Sequence, residues 1–259
     1  MRTVRRCLST GFLVLSGCAT VSPVVESPVP VIEADRPDFT ESPETVPPGS
    51  IQAEGGYTYS RDESGTNQSI GELLVRVPAG TRAELRVGFN SYSIVHAPGV
   101  VRRGFEDMEV GTKIRIVEHE ERSLIPSVSI LMLSSLPTGH RGIGTRVVQP
   151  TAKLALAWQL SERLSLQSNA NYTYASEDGT RFSQWASSAS FGTEFTPRLE
   201  TFVEWFGTSP RSLGAGRADY IDSGAAVKFG RSLRLDARVG TSTRTTRDYF
   251  AGVGVSRRW

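Results

Sequence analysis

From Ser50 to the C-terminus, apolar and polar residues alternate with a period of two, the periodicity of a strand whose two faces meet different surroundings. Ser50 to Arg61 sets Ile51, Ala53, Tyr57 and Tyr59 against Gln52, Glu54, Thr58 and Ser60. Leu164 to Tyr174 sets Leu164, Leu166, Ala170, Tyr172 and Tyr174 against Ser165, Gln167, Asn169, Asn171 and Thr173. No comparable helical stripe occurs. Continued along the chain, the pattern predicts twelve strands, at about 50–60, 69–77, 82–91, 106–117, 125–134, 147–159, 164–174, 183–195, 199–207, 220–229, 233–241 and 248–258. The links alternate in length, short at 78–81, 118–123, 160–163, 196–198 and 230–232, longer at 62–68, 92–104, 135–146, 175–182, 208–219 and 242–247. An even strand count with short turns on one edge predicts an all-β, transmembrane antiparallel up-and-down β-barrel of about 12 strands, its termini on the short-turn side.

Alternation alone does not distinguish a lipid-facing wall from a soluble core. The apolar phase carries almost no charge, the exceptions being Glu106 and Arg257 at strand ends. Its aromatic residues gather in two bands. Tyr57, Tyr59, Phe89, Tyr172, Tyr174, Trp185, Trp205 and Tyr249 lie toward the long links, and Trp158, Phe195, Phe229 and Trp259 toward the short ones. Rings at both edges of an apolar belt are what bilayer interfaces select, whereas a soluble core places large rings mid-strand. Outer-membrane lipid is therefore the expected partner of this face.

The other phase holds nine acids and eight bases. Those expected to line a pore are Glu54, Glu72, Arg76, Glu84, Arg86, Glu109, Lys113, Arg115, Glu200, Glu204, Asp222, Lys228, Arg234, Asp236 and Arg238, together with Phe202. Twelve strands enclose more room than eight but less than a porin's sixteen to eighteen, so a narrow polar passage for small solutes fits. The alternative is a lumen sealed by salt bridges, with Glu84 and Arg86 against Glu72 and Arg76, and Asp222 and Lys228 against Arg234, Asp236 and Arg238. Phe202 and Phe206 break the polar rule. They read either as a slide for an aromatic solute or as packing for Phe39 of the N-terminal segment.

Composition narrows the function. Residues 1–18 read as a signal peptide, with three arginines, a short apolar stretch and the ending Leu15-Ser16-Gly17-Cys18. That ending resembles a lipoprotein lipobox and makes Cys18 the candidate lipidation site; ordinary signal-peptide cleavage nearby is the alternative. Residues 19–49 contain seven of the 14 prolines and read as a tether or plug, ahead of a barrel at 50–259. Without the leader's arginines the formal +2 charge disappears, which leaves no case for nucleic acid. The two cysteines, Cys7 and Cys18, both lie in the leader, and His96, His119 and His140 are scattered. No cofactor, metal or catalytic residue is expected, and a hydrolase is the weakest of the readings considered.

Several stretches resemble the outer-membrane transporters of the MetA-pathway of phenol degradation family. They are the Asp-Arg-Pro-Asp-Phe-Thr-Glu-Ser-Pro-Glu-Thr-Val-Pro-Pro-Gly run from Asp35 to Gly49, Gly104 to Lys113, Leu136 to Gly139, Val203 to Gly207, Ile221 to Gly224 and Leu235 to Gly240. The resemblance implies an outer-membrane pore or carrier of a Gram-negative bacterium, in some members associated with uptake of aromatic compounds, a link that does not transfer to this chain; hydrophobic or aromatic compounds stand only as candidate solutes. The terminal strand Tyr249 to Trp259, ending on an aromatic residue, resembles the signal read by the barrel-assembly machinery.

Overall fold

A computed structural model of the chain describes residues 30–118 and 124–259. Fourteen segments form one antiparallel sheet: β1 (Gln52–Asp62), β2 (Gly65–Pro78), β3 (Ala83–Gly88), β4 (Tyr92–Ala97), β5 (Val100–Phe105), β6 (Met108–Val117), β7 (Ser127–Leu136), β8 (Gln149–Gln159), β9 (Leu164–Glu177), β10 (Thr180–Thr196), β11 (Leu199–Ser209), β12 (Ala218–Phe229), β13 (Leu233–Ser242) and β14 (Tyr249–Arg258). β2 pairs with β3 along Leu74–Pro78 and with β4 along Thr66–Ile70, so β3 and β4 are halves of one interrupted strand. β6 and β5 pair with those two halves in turn and make the next strand. β1 pairs with both β2 and β14, which closes a barrel of twelve strands.

The barrel is polar inside and apolar outside. Val203, Met132, Val239 and Val253 are 56–60% exposed on the outer face, while Glu54, Glu84, Lys113 and Arg76 are 0–2% exposed within. Such a surface is stable only against a bilayer, and closure leaves no unpaired strand edge in the hydrocarbon. The aromatic bands form contacts of their own. Tyr59 lies 6.3 Å from Tyr249, Tyr172 4.8 Å from Trp185 and Tyr92 5.3 Å from Phe105 at the end away from the termini.

The expected alternation of link lengths does not hold. At the loop end, 62–68, 92–104 and 175–182 are mostly strand, and three of the connections are two-residue turns at 63–64, 98–99 and 178–179. Asp178 at φ 47° and Gly179 at φ 83° supply the left-handed pair that a tight, strand-twist-matched hairpin needs. The polar residues there interrupt the apolar pattern because the hairpins rise beyond the membrane, and a backbone ladder is indifferent to whether its side chains meet lipid or water. The true loops at this end are 137–148, 210–217 and 243–248.

Candidate functional site

Residues 30–51 enter the barrel and return, as a re-entrant loop inside the lumen. Ile32 donates its amide to the Arg231 carbonyl at 3.0 Å and is fully buried at the terminal end. After the excursion, Ile51 exchanges backbone bonds with Trp259 at 2.9 and 3.1 Å, back at the same end. Proline-rich sequence suits this path: it forms no ladder of its own, and its free amides and carbonyls are available to luminal side chains.

Asp35 is the first anchor. Its carboxylate meets Arg86 at 2.5 Å, Lys113 at 2.8 and 3.0 Å and Arg76 at 3.3 Å, and accepts the Ser42 amide at 3.2 Å. Arg76 in turn holds Glu84 at 2.8 Å and Glu54 at 3.0 Å, and donates to the Glu44 carbonyl at 2.8 Å. Glu41 pairs with Arg86 at 3.0 Å and with Lys153. In this ion-paired cluster the wall contributes four cations (Arg76, Arg86, Lys113, Lys153) but only two carboxylates (Glu54, Glu84), and Asp35 and Glu41 supply the missing negative charge. Burial alone would raise the Asp35 carboxyl, but Arg76, Lys113 and Arg86 outweigh it and hold the group well below the usual carboxylate range. In the same way Lys153 and Arg86 outweigh burial and hold Glu41 at about 2.

Glu204 on β11 is the second anchor. It accepts the Phe39 amide at 2.6 Å and the Thr40 amide at 2.7 Å, as well as the Thr40 hydroxyl. Beside it, Asn169 grips Glu41 in both directions, its Oδ1 accepting the amide at 2.6 Å and its Nδ2 donating to the carbonyl at 3.0 Å. The Phe39 ring stacks on Phe206, 4.6 Å between centroids and 7° between planes. Asp38 lies between these contacts, and burial together with the neighbouring Glu204 carboxylate pushes its carboxyl up to about 7.

Arg36 reaches the wall through a notch. Gly56 and Gly254 face each other in the β1–β14 register, and a Cβ on either would collide with the Arg36 side chain. The guanidinium there binds Glu72 at 2.6 Å and the Val253 carbonyl at 3.3 Å. Glu72 occupies the β2 bulge at φ 41°, a conformation unfavourable for a residue with a Cβ.

The remaining sequence candidates also surround this segment. Arg115 binds Glu44 at 2.9 Å, and Glu109 shares a cavity with Lys153. Lys228 pairs with Glu200 at 2.7 Å and Arg234 with Glu200 at 2.6 Å. Asp236 lies 3.7 Å from Arg36, and Asp222 lies across from Glu204 in register. Two expected pairings are corrected: Glu72 binds the segment's Arg36 rather than its β3 neighbours, and Lys228 and Arg234 share Glu200 rather than pairing with Asp236 and Asp222 respectively. Arg36 lies on the inserted loop and Arg234 reaches past β12 to Glu200 on β11, so neither contact is readable from strand register, whereas Lys228 meets Glu200 diagonally on the neighbouring strand. His140 accepts the Phe105 amide at 3.0 Å, and Cys18 and His119 lie outside the described residues.

Cavities flank the segment on both sides. Toward the termini lies a space of about 250 Å³ lined by Asp38, Gln167, Ser190, Phe202 and Arg234. Toward the loops lie two of about 390 Å³ each, one polar beside Glu72 and Glu109, the other lined by Phe39, Phe206, Tyr220, Phe250, Arg211 and Arg238. Phe202 and Phe206, two residues to either side of the Glu204 anchor, thus open into spaces on opposite sides of the loop.

The model of the MetA-pathway of phenol degradation family matches residues 34–259, both the luminal segment from Ala34 onward and the whole barrel. The chain belongs to this family. Among solved structures, this MetA-pathway family member is similar to an outer membrane channel from Pseudomonas putida F1, with 13% identity and a TM-score of 0.69, covering 88% of this chain and 100% of that one. It is also similar to the NanC porin, with 10% identity and TM-score 0.54 over 80% of this chain and 98% of that one. The KdgM porin aligns at 11% identity and TM-score 0.53 over 79% and 98%. At these identities the likeness is one of fold. No curated protein matches this MetA-pathway family chain in sequence.

Proposed function

We propose that the protein is an outer-membrane channel of a Gram-negative bacterium, its termini in the periplasm, passing small solutes through a lumen that its own segment Pro30–Gly49 occupies at rest. The observation that carries this reading is the kind of contact that holds the segment. Side-chain carboxylates, an amide and cations of the wall grip its backbone and charges along its length, and between them lie single apolar contacts: the buried Ile32, Pro37, Pro43 and Val46 and the Phe39 ring on Phe206. Contacts of this kind exchange for water when a segment moves, whereas a permanent plug gains more from buried apolar area. The ring-lined cavity at the loop end supports solutes with an apolar or aromatic body. The terminal strand Tyr249 to Trp259 serves as the segment read by the barrel-assembly machinery, and Cys18 as a lipidation site of the precursor.

Conductance of the purified full chain in a planar bilayer tests the reading. A channel gives discrete current steps, and a variant lacking residues 34–46 gives larger ones. A sealed structural barrel gives no steps in either form. Metabolic palmitate labelling of the wild type against Cys18→Ala tests the anchor.

A further inference from the structure

Four rings gather at the loop end of the lumen. Phe39 of the segment, Phe206 and Tyr220 stack in sequence, with centroids 4.6 and 5.0 Å apart and planes 7° and 16° apart, and Phe250 tilts against the last two at 6.1 and 6.2 Å. Together they line one cavity of about 390 Å³, a size within the range that small organic molecules occupy. Gly240 makes room for the Phe250 ring, which a Cβ there would overlap.

The charges around this cavity are unequally used. Arg211 binds Asp62 at 2.8 Å and Asp248 at 2.9 Å, and the Tyr220 hydroxyl donates to the same Asp248 carboxylate at 2.8 Å, so both acids of the lining are engaged. Arg238 is half-buried, and its guanidinium lies over the Phe250 ring, 5.0 Å from the centroid, with no hydrogen bond or ion pair among the described residues. Asp222 and Asp236 attract it from the same inward face, but neither pairs with it or lines the cavity. Arg238 and Phe39 also line the polar cavity beside Glu72, so they stand where the two spaces meet.

A cation held against an aromatic face without a carboxylate partner gains from a bound anion, and a planar guanidinium takes a carboxylate in bidentate fashion. One free guanidinium matches a single negative charge. The rings beside it match a planar apolar body, so the two features together select a molecule that carries both. A neutral aromatic compound leaves the guanidinium unpaired, and a small aliphatic acid leaves the rings uncovered.

We propose that this cavity recognises aromatic monocarboxylates, the ring of the solute packing against Phe39 and Phe250 and its carboxylate meeting Arg238. This names the solute class of the channel proposed above and rests on that reading. Binding of benzoate, benzyl alcohol and acetate to the full chain in lipid nanodiscs is measured by ligand-observed NMR, which needs no current. Benzoate is expected to bind, and to bind about tenfold more weakly in Arg238→Gln. Benzyl alcohol binds the wild type more weakly than benzoate by a similar factor and is indifferent to the substitution, and equimolar acetate does not displace benzoate. Arg61→Gln, which removes an exposed arginine at the rim of the same cavity, leaves benzoate binding unchanged. Equal benzoate binding by Arg238→Gln, equal binding of benzyl alcohol and benzoate by the wild type, displacement by acetate, or an equal loss in Arg61→Gln overturns the assignment. Heat-shifted gel mobility reports whether each variant is a closed barrel. If Arg238→Gln does not fold, Phe250→Leu decides the matter: it keeps the charge and is expected to weaken benzoate several-fold, and unchanged binding overturns the site. A barrel that binds benzoate through Arg238 but gives no current steps defeats the channel reading and leaves this site standing; current steps without benzoate binding do the reverse.

Discussion

Replacing Asp35 by Asn removes one negative charge from a cluster in which three wall cations converge on that carboxylate. The side chain keeps its size and can still accept the Ser42 amide, so the change is electrostatic. Removing one partner of a buried ion pair costs about 3–5 kcal/mol, because the other charge stays buried and uncompensated. The Arg76, Arg86 and Lys113 cluster retains Glu54, Glu84 and Glu41, so the lower figure applies. A loss of about 3 kcal/mol from the docked state alone multiplies the undocked fraction by roughly 100-fold. Single-channel recording reads this as a rise in time spent at high conductance. Charge supplies a second check, since neutralising Lys113 as well, in Asp35→Asn/Lys113→Met, restores the balance and brings openings part of the way back. Unchanged open time in Asp35→Asn, with heat-shifted mobility intact, would refute the claim that the Asp35 contacts hold the segment in place.

Three further outcomes follow from the same contacts. Asp38 has a docked pKa raised from 3.8 to about 7, so its contribution to docking is complete below about pH 4 and lost as pH rises through about 7; openings increase from about pH 4 to about pH 7 and level off above, and Asp38→Asn flattens that dependence. Asp35, whose docked pKa is lowered, contributes fully above about pH 4 and fails only in stronger acid, so it does not oppose the trend. Gly254→Val fills the notch that admits Arg36, so the barrel still assembles while the Arg36–Glu72 contact is lost; cysteine accessibility at position 39 rises, and unchanged accessibility counts against the notch. Deleting Trp259 removes the terminal aromatic together with its backbone exchange with Ile51, and reduces the heat-modifiable protein recovered from outer membranes, measured by fractionation.

The barrel was legible because a two-faced strand writes its surroundings into every second residue: Leu164 to Tyr174 and Tyr249 to Val255 needed only a phase. Legibility stopped where that phase carried no information. Glu63, Thr66, Asn67 and Gln68 look like loop because nothing apolar is needed above the membrane, yet they lie on or beside β-ladder. The luminal segment was visible as a proline-rich stretch bearing Phe39, but not its grip. Asp35 and Arg36 have no periodic signature, and Asn169 and Ser188 look like ordinary inward polar residues until Glu41 and Thr40 are laid against them. The one local hint was the pair Gly56 and Gly254, glycines in the inward phase of strands that prefer side chains, which marks a place where something must come close.

The basic residues of the chain are unevenly divided by type: there are 26 arginines and only three lysines, Lys113, Lys153 and Lys228. All three lie inside the barrel, ion-paired to Asp35, Glu41 and Glu200 respectively. A membrane-impermeant acylating reagent therefore finds no lysine on the outer wall or the loops, and the only ε-amines it can modify are those facing the lumen. Two of them are covered by the re-entrant loop itself, so on the proposed reading the rate of acylation at Lys113 and Lys153, read by mass spectrometry in intact cells, becomes a built-in clock for how often that loop leaves the lumen.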